Sequence, residues 1–200
     1  MPAAQRRDQV LDAALQIIAR DGYRAVSIEA IAREMDVTRP VVYNVFGDLS
    51  ELLHTLLDRQ ERRALEQLSC TISAMPPEAD LRRYMTGTIR ELVAMVSTDP
   101  LTWTPIFLAA VDTPPIVRSR IERDRELVRA RIASLVDAAI DSVNDASRVP
   151  SVMIDREIVA HILVGMGEYF GRLILTEPAA VDPAKLADTI SALLVPRRSA

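Results

Sequence analysis

Two hundred residues, 49% of them hydrophobic, are enough to bury a sizeable core in one or two domains. A formal net charge of −4 gives no general attraction to nucleic acid, and no run of about eighteen uncharged apolar residues marks a membrane span. The opening MPAAQRRDQVLDAAL lacks the apolar core of a signal peptide, and a single Cys70 has no internal disulfide partner, so the expected location is the cytoplasm.

Few aromatics and six glycines, beside plentiful Ala, Leu, Val and Ile, favour helices over sheets. A first helix is expected over about residues 7–21, closed by Gly22 as its C′ residue. Ser27 follows as an N-cap, and Ile28, Ile31, Ala32 and Met35 form one apolar stripe. Asp36 falls at a sharp break that calls for a left-handed residue, a conformation Asp tolerates better than most. Val37 is then a plug between helices and Thr38 a second N-cap. Pro40 lies in a first turn, where its missing N–H costs nothing. Two short helices about this break, over roughly residues 27–45, have the form of a helix-turn-helix. Such a motif holds a small helix rigid so that a few side chains reach base edges in the major groove.

Beyond it, a longer helix is expected from about residue 48 or 50 to 71, with Leu52, Leu53, Leu56 and Leu57 on one side. Pro76–Pro77 breaks the chain, and Asp80 or its predecessors cap a helix to about residue 97. After Asp99–Pro100 comes the short segment LTWTPIFLAAV. A long helix is then expected from about 115 to 142, with Val117, Ile121, Val128, Ile132, Leu135 and Ala139 as its stripe. The loop DSVNDASRVP leads to helices over about 154–176 and 183–194. Within the long helix, RSRIERDRELVRAR alternates charges at spacings that suit i,i+3 and i,i+4 pairs, so it reads as a solvated face rather than a nucleic-acid patch.

The order of signals from Val10 to Leu53, VLDAALQIIARDGYRAVSIEAIAREMDVTRPVVYNVFGDLSELL, resembles the N-terminal domain of the TetR family of transcriptional regulators. Its marks are the Gly22–Tyr23 turn, Ile31–Ala32, the Val37–Thr38 helix start, Tyr43 and Phe46 three apart, and Glu51–Leu52. The resemblance implies an all-α chain of about nine helices. Residues 1–52 form a DNA-binding head and residues 53–200 a ligand-binding and dimerisation body. It implies a homodimer that binds a near-palindromic operator in double-stranded DNA and is released by a small-molecule effector. Thr38, Arg39, Pro40, Val41, Tyr43 and Asn44 are the candidates for the DNA face, with Ser27 capping and Arg6–Arg7 on a mobile arm. Arg39 suits a guanine edge or a phosphate, Val41 a thymine methyl, and Tyr43 a phosphate or the core; Val42 and Phe46 read as core. Two positions depart from the family pattern. Asp36 replaces the usual Gly, and Leu49 stands where a Lys commonly grips the DNA backbone. Leu49 is expected to pack, leaving the N–H groups at the start of the next helix to meet a phosphate.

Charge makes this head unusual. Up to Gln60, seven arginines face nine carboxylates, and Lys185 is the only lysine of the chain. Phosphate grip is therefore expected to be weak, dependent on the dimer and quick to fade with salt.

In the body, Tyr84, Met85, Met95, Trp103, Pro105, Phe107, His161, Met166 and Tyr169 are candidates for lining a pocket for an apolar or amphipathic effector, with plain core as the alternative for each. The last two helices, carrying Gly165, Gly167, Phe170, Gly171, Ile174, Ile190 and Leu194, are assigned to the dimer interface by the resemblance. Clustered glycines there suggest close helix approach. His161 and His54 are too far apart in the chain for a metal triad, and neither a catalytic constellation nor a cofactor motif is expected. The alternative reading is an all-helical interaction protein or enzyme that keeps the head only as structure.

Overall fold

The computed structural model describes residues 3–72, 76, 79–109, 113–146 and 155–194, with 139–146 and 194 described by backbone alone. Among these there are nine α-helices, two short 3₁₀ turns and no strand. Pro77, Ile154 and most of the expected 141–150 loop lie partly or wholly outside the described residues.

The chain forms two compact units. The first contains Met1–Glu66 and Pro100–Ile121. Its helices are α1 (Ala3–Asp21), α2 (Ile28–Glu34), α3 (Arg39–Tyr43), most of α4 (Leu49–Thr71), α6 (Pro100–Phe107) and the start of α7 (Pro115–Ala146). Apolar residues at helical spacing on α1, including Val10, Ala14, Ile17 and Ile18, meet Ile28, Ile31 and Ala32 of α2 and Leu52 and Leu56 of α4 in one core. Burying each Val, Leu or Ile side chain stabilises by roughly 1.5–3 kcal/mol. Leu101 of α6 packs against the same core. Trp103 is buried and stacks on Phe107 with ring centroids 5.4 Å apart.

The second unit contains Gln67–Asp99 and Glu122–Ala200. Asp80 caps α5 (Leu81–Thr98) by accepting from Arg83 N at 2.8 Å, as its position suggests. Helix α5 packs against α9 (Pro183–Leu194) and α8 (Arg156–Thr176), burying Val93, Val96, Ala187 and Ile190. Thr86 and the buried Ser191 join their hydroxyls at 2.9 Å, so this apolar seam carries a satisfied polar pair.

Helix α7 continues to Ala146, past the expected end near residue 142. Its alternating charges do form the i,i+3 pairs Glu122–Arg125, at 2.7 Å, and Glu126–Arg129. They reach further than a solvated face, because Arg125 also pairs with Glu168 and Arg129 with Glu157, both on α8. Periodicity reveals pairs along one helix, whereas these partners come from a helix distant in the chain. By length and composition alone α8 could cross a membrane, although Glu168 and Arg172 interrupt its apolar run.

Candidate nucleic-acid interface

Two short helices meet at a left-handed residue. Ser27 is extended, and its hydroxyl accepts from Ala30 N at 3.1 Å, which fixes the start of α2. At the other end, Asp36 has φ 53°, the only non-glycine residue with positive φ among the described ones. That twist lets Val37 N donate to Ala32 O at 2.9 Å and turns the chain into α3. Thr38 is extended at the N-cap position, but its side chain makes no capping hydrogen bond. Pro40 stands in the first turn, where no intrahelical N–H is needed.

Helix α3 is five residues long and ends earlier than expected, with Asn44 as its C-cap. So short a helix has little stability of its own and must be held by packing. Val42 and Phe46, four apart, are fully buried in the head core and provide that hold. The residues around these anchors stay nearer the surface. Thr38, Arg39, Pro40, Tyr43 and Asn44 are exposed and Val41 is half-buried. Tyr43 is 51% exposed, which resolves its two readings against core. Apart from the half-buried Val41, every candidate named in this segment is exposed, and so is Ser27.

The electrostatics of this face are self-balanced. Arg39 Nη2 lies 2.8 Å from Glu29 Oε1 of α2, with both side chains well exposed. Arg20 donates to both Glu34 oxygens, at 3.2 and 3.0 Å, tying the end of α1 to the end of α2. This fork holds the Glu34 carboxyl below its ordinary pKa. Burial pushes the Tyr23 hydroxyl well above its ordinary value, so it stays neutral.

Two expectations are corrected. Arg6 and Arg7 do not form a mobile arm; both lie within α1 and are half-buried. The Arg7 guanidinium sits over the Phe46 ring and donates to Val45 O at 3.3 Å and Thr55 Oγ1 at 3.2 Å. The amides flanking the start of α4 are also engaged. Glu51 N donates to Asp48 Oδ1 at 2.7 Å, and Gly47 N donates to Glu51 Oε2 at 2.9 Å. Two carboxylates therefore stand where a phosphate was expected. Leu49 packs against the head core, as its side chain requires. Asp48 and Glu51 form a D-x-x-E pair at this helix start, with Glu51 Oε2 reaching the Gly47 amide one residue before the N-cap position of a capping box.

The remaining candidates are more dispersed. Trp103, Pro105 and Phe107 belong to the first unit; Tyr84, Met85, Met95 and Met166 are half-buried in the second. His161 and Tyr169, by contrast, are exposed on α8, the latter at 64%, so neither is enclosed as a pocket wall would be. Among the dimer candidates, Gly171, Ile174 and Ile190 are already buried within the protomer and offer it no outer surface. Gly165 and Gly167 are exposed, and a Cβ at either would meet nothing within 4 Å, so among the described residues no close helix approach explains them. Phe170 is half-buried, and the Leu194 side chain lies outside the described residues.

Comparison with known proteins agrees with this geometry. Residues 10–56 match the family model of bacterial regulatory proteins of the tetR family. The transcriptional activator FasR of Mycolicibacterium smegmatis is 24% identical over 154 residues, covering 77% of this chain and 68% of FasR. A TetR-like transcriptional regulator from Rhodococcus sp. RHA1 superposes with a TM-score of 0.73 at 21% identity, covering 98% of this chain and all of the other. The regulator FadR of Bacillus subtilis, solved in complex with stearoyl-CoA, superposes with a TM-score of 0.68 at 16% identity, covering 96% of this chain and 99% of FadR. Residues 10–56 therefore match the tetR family of bacterial regulatory proteins, and the described residues have the fold of TetR-like regulators.

Proposed function

We propose that the chain is a homodimeric, cytoplasmic transcriptional repressor that leaves its operator when a small apolar or amphipathic molecule binds the body. The observation that carries this reading is the arrangement of α3. Val42 and Phe46 anchor it, while Thr38, Arg39, Pro40, Tyr43 and Asn44 are all exposed. A helix used only as structure has no need for a coherent outward set of groups able to bind bases and phosphates. Arg39 reads a base edge, Val41 touches a thymine methyl, and Tyr43 donates to a phosphate. Ser27 both caps α2 and faces the backbone, and Arg6 and Arg7 border the site from α1.

Residues 1–52 act as the reading head and residues 53–200 as the body that senses and dimerises. The partner surface is the exposed apolar side of α8, where Ile158, Ile162 and Tyr169 share one face with the open Gly165. Exposed apolar groups clustered this way favour a second protein surface over water. Tyr84, Met85, Met95 and Met166 of the second unit are the retained candidates for effector contact, and the stearoyl-CoA bound by FadR supports a ligand with a long apolar part. The ligand acts by population shift, favouring a head spacing that no longer matches successive major grooves. No catalytic step is proposed.

The direction of control has a specific rival, because FasR is named an activator. Sequencing genomic fragments retained by the purified protein, then placing one upstream of a reporter, decides between them. Repression requires that deleting the gene raises reporter output; a fall makes the protein an activator. Retention of no fragment at low salt overturns the DNA-binding reading in favour of a head kept only as structure.

A further inference from the structure

The Glu29–Arg39 pair is placed where folding gains little from it. Both side chains are well exposed, at 60% and 59%, and exposed pairs of this kind contribute little to stability. Glu29 nevertheless puts a carboxylate on the face that α3 would turn to a polyanion. The two partners come from different helices on either side of the Asp36 turn, so the pair forms only when α2 and α3 are correctly set.

We propose that Glu29 is a specificity-determining and positioning residue, which restricts Arg39 to base reading by withholding it from indiscriminate phosphate binding. The inference rests on the reading of α3 as the DNA-contacting helix. An unpartnered guanidinium at this point pairs with any phosphate, a sequence-independent gain. With Glu29 beside it, a phosphate must displace the carboxylate or tolerate its repulsion. A guanine edge does neither, since the fork keeps further N–H donors for O6 and N7 while Nη2 stays held. The carboxylate is also an acceptor that suits a cytosine N4 amine, so the pair as a whole favours a G·C step. In a head with seven arginines against nine carboxylates up to Gln60, this trades affinity for discrimination.

The test uses the whole 200-residue chain and two probes: duplexes selected by the wild type from a randomised library of about 30 base pairs, long enough for two half-sites, and the unselected pool. Glu29→Gln is expected to tighten binding to the unselected pool and steepen its salt dependence by about one unit of log–log slope per subunit. The ratio of selected to unselected affinity is expected to fall at least about fivefold, and G·C preference to weaken at one position in each half-site. In an Arg39→Ala background the same substitution is expected to lose most of this effect. An unchanged ratio in Glu29→Gln, or an equal change with and without Arg39, overturns the inference while leaving the DNA-binding reading intact. A wild type that selects no duplex overturns both. An unaltered thermal midpoint for Glu29→Gln separates the effect from one on folding.

Discussion

The guanidinium of Arg7 lies 4.2 Å from the centroid of the Phe46 ring and joins the first helix to the end of the helix-turn-helix. Its donors reach Val45 O and Thr55 Oγ1, and Glu51 lies 3.5 Å away, so one side chain ties α1, the exit from α3 and α4 together. Arg7→Ala is expected to lower stability by about 1 kcal/mol, the low end for such contacts because the side chain is 40% exposed. Arg7→Lys keeps the charge but loses the planar fork, so it is expected to recover less than half of the loss. Chemical denaturation measures both. Equal stability for all three proteins would remove the clamp.

Phe46 and Tyr43 stand three apart in one motif and face opposite ways. Phe46→Ala empties a fully buried ring position and is expected to cost about 3–5 kcal/mol. Tyr43→Ala, at a residue 51% exposed, is expected to change stability by no more than about 0.5 kcal/mol while weakening DNA binding. Thermal unfolding together with gel retardation separates the two. A large stability loss at Tyr43 would contradict the placement of its ring.

The Arg20–Glu34 fork gives the head a pH dependence of known sign. Arg20 lowers the Glu34 pKa in the folded state, so the ionised pair stabilises at pH values above the ordinary carboxylate value of 4.5. That contribution is lost as the pH falls from about 4.5 through the lowered folded value. Glu34→Gln is expected to be less stable than the wild type at neutral pH and to converge on it in acid. Unfolding curves between pH 3 and 7, spanning about that window, would show parallel lines instead if the pair were inert.

An apolar helix face without cover implies a partner. Ile162 is 49% exposed and Tyr169 64% exposed on α8. Ile162→Glu combined with Tyr169→Glu is expected to convert a dimer into a monomer by light scattering, with helical content unchanged in circular dichroism. A double variant that stays dimeric would place the interface elsewhere.

How far the sequence reveals this molecule depends on whether a signal is local. Ser27, Asp80 and Gly22 announce helix ends through chemistry within a few residues, and each is found where its type suggests. Asp36 is legible for the same reason, because the break between two apolar stripes demands a left-handed residue and φ 53° is what the chain adopts. Helical period does not give the exposed set around α3: Thr38 and Arg39 stand four and three positions before the buried Val42, on its side by period, yet are exposed at the helix start. Long-range partners are not legible. Nothing in RRDQV tells that Arg7 will reach Phe46, thirty-nine positions on, nor that Glu29 will meet Arg39 across a turn. The pairing of α7 arginines with α8 carboxylates is hidden for the same reason: i,i+3 neighbours already satisfied the pattern along the helix. For the body's ligand contacts, Met and aromatic spacing does not distinguish enclosure from exposure: His161 and Tyr169 fit the pattern, yet both are exposed.

The central claim is that α3 reads DNA through Arg39. Fluorescence anisotropy with a duplex retained from the genome, titrated by wild type and Arg39→Ala across a salt series, tests it most directly. The account predicts sequence-selective binding by the wild type at every salt concentration where binding is measurable. Arg39→Ala should lose about five- to 150-fold in affinity for the retained duplex, the discrimination of one bidentate base contact, and far less for random DNA. Equal binding by both proteins to the retained duplex, or wild-type binding that does not distinguish it from random DNA, would contradict the claim.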